Sequence, residues 1–125
     1  MPPMFLVSSY FMSGVGLNRF NGHLLATVAQ SIEAADMPFV WAADFNMNPQ
    51  LVAKSDIQKR LNAAIIAPAG PTCCSGLAAN TIDFFISDTM TARAVEEVNV
   101  LREHIFPPHW PVQLKFGADI ARVKH

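Results

Sequence analysis

The sequence contains few cysteines and no long uninterrupted apolar run. Its only cysteines are Cys73 and Cys74, and adjacent Cα atoms lie about 3.8 Å apart, closer than an unstrained disulfide prefers. We therefore expect free thiols and an intracellular protein, nuclear or cytoplasmic. No window reaches the roughly 18 consecutive apolar residues of a membrane span. The first residues lack the basic start of a signal peptide, so we expect neither membrane insertion nor secretion.

Charge is also scarce. Nine Lys and Arg residues against ten Asp and Glu residues give a formal net charge of -1. Broad nucleic-acid binding relies on many basic residues that neutralise phosphates, so any phosphate chemistry here needs a localised site. Charged residues make up 15% of the 125 residues and hydrophobic residues 51%, against about 25% charged in a typical soluble domain. The length suits one domain, and the apolar excess indicates a surface that a partner covers.

Apolar periodicity predicts an α/β fold. The predicted strands are 5–11, 38–43, 81–87, 95–101 and 110–116. A long helix is predicted over 18–35, capped by Asn18 or Asn21. Its predicted inward face has an apolar residue at every fourth position, namely Phe20, Leu24, Val28 and Ile32. A short helix over 56–64, a strand that begins at Ile65 and a loop or hairpin over 68–80 complete the prediction.

The stretch WAADFNMNPQ, residues 41–50, ends a predicted buried strand on a carboxylate and an amide. Asp44 and Asn46 are two residues apart, so in an extended chain their side chains project to one side. A carboxylate can bind a hard cation such as Mg²⁺ or accept a proton from water, and an amide can orient that water or a phosphate oxygen. Asp and Asn also end strands because they favour turns, and spacing alone favours this structural role.

Asp83 and His109 are further candidates. Asp83 interrupts the apolar strand TIDFFISD, where a buried carboxylate is costly unless it is paired. A histidine suits it, because a carboxylate at one ring nitrogen fixes the tautomer and leaves the other nitrogen to contact a phosphate. Pro107, Pro108 and Pro111 restrict the backbone around His109. The alternatives are a solvent-facing Asp83 on an edge strand and a His109 in an ordinary surface turn.

Four blocks follow one another along the chain: the strand that ends on Tyr10, then ADFNMNP, then PTC with TIDFF, and finally HWPV. Together they resemble the C-terminal half of the endonuclease/exonuclease/phosphatase superfamily, which includes exonuclease III-like and deoxyribonuclease I-like nucleases. SGVGLNRFN and DFNMNP are most similar to the endonuclease domains of non-LTR retrotransposons. The resemblance implies half of a four-layered αββα sandwich, in which one long helix packs on a mixed sheet. It also implies one partial domain over residues 1–125, with its core at about 5–116.

The resemblance implies a role for each matching residue. Asp44 would align or deprotonate the attacking water beside a metal ion, and Asn46 would hold the nucleophile or a phosphate oxygen. Asp83 would orient His109, which would contact the scissile phosphate, and Tyr10 would support the same phosphate. The implied reaction is hydrolysis of a phosphodiester, with Mg²⁺ or alternatively Mn²⁺ as cofactor and Asp44 as a metal ligand. The resemblance favours DNA as the substrate, and RNA, phospholipid head groups and inositol phosphates stay open, because the superfamily hydrolyses all of them.

Two departures from the family pattern indicate an incomplete site. Full members carry an N-terminal half with a metal-binding Glu, and no acidic residue precedes Tyr10 here. Pro108 stands where the family has an acidic residue before the His, and proline can neither bind a metal nor accept a proton. We expect the chain to be weakly active or inactive alone, with a missing N-terminal half or a second chain as partner. The alternatives are a non-catalytic, retroelement-derived module that binds nucleic acid or protein, and an unrelated α/β interaction domain.

Overall fold

The computed structural model describes residues 3–75, 78–103 and 108–117. This part of the chain forms both strands and helices. The strands are β1 (Phe5–Tyr10), β2 (Phe39–Asp44), β3 (Ala63–Ile66), β4 (Cys73–Ser75), β5 (Ala78–Asn80), β6 (Asp83–Asp88), β7 (Val95–Val100) and β8 (Val112–Phe116). The helices are α1 (Arg19–Ala35), α2 (Pro49–Ala53), α3 (Ile57–Leu61) and α4 (Thr89–Arg93).

The four-stranded sheet is mixed and has the strand order β1-β2-β6-β3. β1 and β2 are parallel, whereas β6 runs antiparallel to both of its neighbours. A parallel pair needs a long crossover, which α1 supplies. β4 pairs with β5, and β7 pairs with β8, in two smaller antiparallel sheets. The α/β class predicted from the sequence is confirmed, and the four-layered sandwich stays a prediction.

One face of the sheet packs against α1 around an aromatic core. Phe45 stacks on Phe84 with ring centroids 4.3 Å apart and on Phe11 with centroids 5.2 Å apart. Trp41 lies beside both Phe11 and Phe45. The buried apolar residues that α1 adds to this cluster are Leu25, Ala29 and Ile32. Because Phe45 directly follows β2, the packing of its ring anchors the backbone at the end of that strand.

The long helix α1 is present, and its predicted apolar face is wrong at the first position. Asn18 caps the helix by accepting the N–H of Asn21 at 2.9 Å. Phe20 is 54% exposed, whereas Asn21 is fully buried. Oδ1 of Asn21 accepts from the N–H of Met12, and its Nδ2 donates to the carbonyls of Met12 and Gly16. These bonds hold the loop after β1 against the helix, so the amide takes the inward position and Phe20 faces solvent.

Other boundaries differ from the sequence prediction by a few residues. The helix predicted over 56–64 ends early, because Asn62 adopts the left-handed conformation with φ of 49°. The next strand accordingly starts at Ala63 and not at Ile65. β2 is fully buried only over its first three residues. The sequence pattern predicts neither α2 nor α4, which are short helices started by the side-chain caps of Asn48 and Asp88.

The second face of the sheet is partly open. Leu6 and Tyr10 of β1 are 73% and 69% exposed. A cavity of about 380 Å³ lies on this face, with Phe85 of β6 on one side and Trp110 and Val112 on the other. In the described part of the chain, no helix has the length and apolar character to cross a membrane.

Candidate active site

Three neighbouring strands bring side chains into one row. Tyr10 ends β1, Asp44 ends β2 and Asp83 begins β6, and the register pairs Tyr10 with Asp44 and Asp44 with Asp83. Paired residues on adjacent strands point to the same face, so the three side chains lie side by side at one end of the open face. A β-bridge between Cys73 and His109 brings the histidine to the same place.

The predicted contact between Asp83 and His109 is confirmed. Nδ1 of the histidine ring lies 2.8 Å from Oδ2 of Asp83. Because an ionised carboxylate can only accept a hydrogen bond, the ring donates from Nδ1. The other nitrogen, Nε2, lies 3.5 Å from Oδ2 of Asp44 and 3.9 Å from Sγ of Cys73. The carboxylate of Asp83 therefore fixes the ring so that Nε2 faces these two groups.

Thr72 supports this pair from behind. It is fully buried, and its hydroxyl donates to Oδ2 of Asp83 at 2.8 Å. The hydroxyl oxygen of Thr72, in turn, accepts the N–H groups of Ile82 and Asp83 at 3.1 and 3.0 Å. The carbonyl of Thr72 accepts the N–H of Trp110, the residue after His109. One buried residue thus holds both the carboxylate and the segment that carries the histidine.

Asp44 carries a perturbed carboxylate. Its Oδ1 accepts the N–H of Asn46 at 3.0 Å. Burial raises the pKa of Asp44 above its ordinary value, and the nearby Asp83 carboxylate raises it further, while the N–H of Asn46 and the His109 ring act in the opposite direction. A carboxylate whose pKa is raised accepts a proton more readily, which suits a general base.

Asn46 lies beside Asp44 in an unusual backbone conformation. Its φ is 48°, in the left-handed region that Asn tolerates better than most residues. Nδ2 donates to the carbonyl of Phe11 at 2.7 Å, which commits one of its two amide hydrogens. The side chain lines the same cavity as Asp44 and His109. The structure therefore brings Asn46 to the predicted place, with part of its hydrogen-bonding capacity already in use.

A cavity of about 530 Å³ opens above these residues. The predicted site residues that line it are Tyr10, Asp44, Asn46 and His109, and they are joined by Ser13, Cys73 and Pro108. Asp83 lies beneath the histidine ring and lines the 380 Å³ cavity on the open face. The Pro108 carbonyl accepts the N–H of Cys74, so this residue contributes backbone pairing and no ligand side chain.

Sequence reasoning gives no role to Thr72 and Cys73, although both lie in the PTC block. Their signal is weak, because a buried threonine or cysteine is common in any domain. Both cysteines are free thiols, as predicted. Burial raises the pKa of the Cys73 thiol, and the Asp83 and Asp44 carboxylates raise it further. The thiol of Cys73 is therefore harder to deprotonate than an ordinary cysteine thiol.

The donor set fits a hard cation only in part. Asp44, Asp83 and His109 each offer one ligand atom, and these atoms lie within 4.8 Å of one another. Asp83 is already bonded to the histidine and to Thr72. Mg²⁺ is usually held by one or two carboxylates together with water and substrate phosphates. Asp44 supplies one such carboxylate, and Pro108 supplies none where the family pattern has an acid.

No protein-family model and no curated protein matches this sequence. Solved structures do match it. The cytolethal distending toxin of Haemophilus ducreyi is 19% identical with a TM-score of 0.60, over 90% of this chain and 48% of that chain. The 3'-5' exonuclease of Neisseria meningitidis is 16% identical with a TM-score of 0.64, over 90% and 60%. The cytolethal distending toxin of Actinobacillus actinomycetemcomitans is 22% identical with a TM-score of 0.62, over 89% and 48%.

These similarities define the fold. The matched structures have endonuclease/exonuclease/phosphatase-type folds, and this chain shares that fold. The resemblance derived from the sequence motifs is confirmed at this level. The chain spans between 48% and 60% of the length of the structures it matches.

Proposed function

We propose that this chain is the C-terminal part of a phosphodiesterase of the nuclease type, which hydrolyses DNA with Mg²⁺ or Mn²⁺ as cofactor. The observation that carries the proposal is the group formed by Asp44, Asp83 and His109 at a cavity. Their contacts at 2.8 and 3.5 Å join residues from separate strands and loops. A fold shared with nuclease-type structures hosts several activities, so the proposal rests on the residues of this site.

His109 would act on the scissile phosphate. Asp83 holds Nδ1 of the ring, and a proton carried on Nε2 would be donated to a phosphoryl oxygen that gains charge in the transition state. Removal of one such donor typically costs about 10²–10³ in rate. Asp83 and Thr72 would act through His109, because Asp83 accepts from Nδ1 of the ring and Thr72 donates to that carboxylate.

Asp44 would align the attacking water and accept its proton. Its raised pKa and its position at the cavity wall support this role. Asn46 would hold the water or a phosphate oxygen, and Tyr10, at the opposite edge of the row, would contact the same phosphate. A bound Mg²⁺ would neutralise charge on the phosphate. Asp44 is the residue of this chain that would hold it.

The remaining metal ligand and much of the substrate surface would come from a second polypeptide segment. The chain covers about half of the matched toxin chains, and the sheet face that carries Leu6 and Tyr10 is open. We propose that a complementary N-terminal half, from a longer product or a second chain, packs on this face. The four-layered sandwich would form when the two halves join.

Binding and cleavage by the purified chain test the proposal together. Titration with a short DNA duplex in the presence of Mg²⁺, followed by NMR, should shift the ring signals of His109. The ring of His23, on the exposed surface of α1, is the matched control. Cleavage of supercoiled plasmid should be weak or absent, and any cleavage should fall by about 10²-fold or more in Asp44→Ala and His109→Ala. An unshifted His109, or cleavage that survives both substitutions, would overturn the proposed site.

A second candidate function is non-catalytic binding of nucleic acid, and Pro108 favours it. This proline lines the cavity at the position where an acidic ligand is expected. Pro108→Asp restores a carboxylate there. A large gain in plasmid cleavage would assign the low activity to the proline. DNA binding that is retained without any gain in cleavage would favour the binding module.

A further inference from the structure

Cys73 places a sulfur atom in the wall of the candidate site, and the proposed hydrolysis does not use it. The residue is 9% exposed, and it lines the same 530 Å³ cavity as Asp44 and His109. Its Sγ lies 3.9 Å from Nε2 of His109. The neighbouring Cys74 is half-buried and does not line this cavity. The chain thus offers two adjacent thiols in different surroundings.

The two separations measured from Nε2 of His109 are close to those in a small tetrahedral metal centre. Zinc binds imidazole nitrogen at about 2.0–2.1 Å, carboxylate oxygen at about 2.0–2.2 Å and thiolate sulfur at about 2.3 Å. Tetrahedral angles then separate nitrogen from oxygen by about 3.4 Å and nitrogen from sulfur by about 3.6 Å. The observed separations from Nε2 are 3.5 Å to Asp44 Oδ2 and 3.9 Å to Cys73 Sγ. Both separations from Nε2 thus lie within about 0.3 Å of the tetrahedral values.

Hydrogen bonds of the backbone and of Nδ1 of His109 already position the side chains that carry these donors. The bridge between Cys73 and His109, extended by the Cys74 N–H to the Pro108 carbonyl, fixes the two segments side by side. Asp83 accepts the Nδ1–H of His109, which is the usual outer support of a metal-bound histidine. Asp44 is tied by the N–H of Asn46. A ligand set of thiolate, imidazole and carboxylate selects zinc over magnesium.

We propose that Nε2 of His109, the Cys73 sulfur and the Asp44 carboxylate form a binding site for a thiophilic divalent cation of the Zn²⁺ class. On binding, the metal–sulfur bond forms, the S–H bond breaks and the thiol proton passes to solvent; the metal keeps its oxidation state. Solvent in the cavity supplies the fourth ligand. Such a site goes beyond the proposed hydrolysis, because the same Asp44 and His109 cannot then serve a hard cation and a phosphate. Zinc would therefore inhibit the chain.

Titration of the purified chain with Co²⁺ tests the site without any nuclease substrate. We expect tetrahedral visible bands together with a sulfur-to-cobalt charge-transfer band in the near ultraviolet, and stoichiometric Zn²⁺ should displace both. Cys73→Ser should lose the charge-transfer band and weaken Zn²⁺ binding by at least about tenfold. Cys74→Ser is the matched control and should keep both properties. Loss of the band in Cys74→Ser, its retention in Cys73→Ser, or no binding by the wild-type chain would overturn the proposal.

Cadmium NMR of the wild-type chain keeps the test independent of how the variants fold. A resonance in the range of mixed sulfur, nitrogen and oxygen ligation supports the site, and one in the range of nitrogen and oxygen alone overturns it. Neither spectrum depends on DNA cleavage. A failure of the proposed hydrolysis and a failure of the zinc site can therefore be told apart.

Discussion

Asn46 combines a left-handed backbone with a side-chain bond to Phe11. Most other L residues lose about 1–2 kcal/mol in this conformation, whereas glycine does not. Asn46→Ala loses both the hydrogen bond and the backbone preference, and Asn46→Gly loses the bond alone. We expect the alanine variant to have a free energy of unfolding about 1 kcal/mol below that of the glycine variant. Urea denaturation of the two variants measures this difference, and equal stability would contradict the backbone argument.

Asp44 gives the chain a pH-dependent stability of unusual sign. Its pKa in the folded state is raised, mainly by burial, so the folded state holds this proton more tightly than the unfolded state does. The contribution of Asp44 to stability therefore falls as the pH rises from the ordinary Asp range, near about 4, through the raised pKa.

Asp44→Asn removes the charge and keeps an oxygen that can accept the N–H of Asn46. We expect the variant to have a higher free energy of unfolding than the wild type at neutral pH. The difference should vanish at about pH 3, where the Asp carboxyl is protonated in both states. Urea denaturation at the two pH values checks both statements. A variant that is less stable at neutral pH would show that the carboxylate stabilises the fold.

At the scale of elements, Asn21 connects α1 to the loop after β1. Asn21→Leu keeps the branched shape of the side chain and removes three hydrogen bonds, which takes away the buried partner of backbone groups of Met12 and Gly16. We expect a loss of about 2–4 kcal/mol in the free energy of unfolding. Phe20→Ala, one residue earlier, is the matched control and should change stability by less than about 0.5 kcal/mol. A loss of stability above this limit for Phe20→Ala would support the apolar face predicted from the sequence and contradict the exposed position of Phe20.

The elements also show what the sequence can predict. The strands that carry Asp44 and Asp83 are readable because an apolar run marks a buried strand and a carboxylate in such a run needs a partner. The inward position of Asn21 cannot be predicted from the apolar pattern, because it depends on hydrogen bonds to a loop nine residues away in sequence. The role of Thr72 cannot be predicted for the same reason, since its hydrogen bonds to Asp83 join residues 11 positions apart in sequence. Local sequence patterns therefore predict where the strands end. The residues that support the site through tertiary hydrogen bonds, Asn21 and Thr72, are known only from the structure.

At the scale of the whole molecule, the open sheet face should make the isolated chain self-associate. Leu6, on the edge strand β1, is 73% exposed on this face, so Leu6→Lys should leave the fold stable to within about 0.5 kcal/mol and reduce association. Met90→Lys, on α4, changes another exposed apolar residue and should leave association unchanged. Sedimentation velocity over a range of concentrations measures the effect. A wild-type chain that is monomeric throughout, or an equal effect of Met90→Lys, would contradict the assignment of this face.

Thr72 also determines how motion near the site can be observed. The amides of Ile82 and Asp83 donate to its hydroxyl, whereas amides inside the β2–β6 ladder donate to carbonyls of the sheet. Hydrogen exchange at these two amides should therefore follow local opening around Asp83, while ladder amides follow opening of the whole sheet. A ligand that tightens the hold of Asp83 on His109 would slow exchange at these two positions first. Exchange at the amides of Ile82 and Asp83 thus reports the rigidity of the site without any label in the cavity.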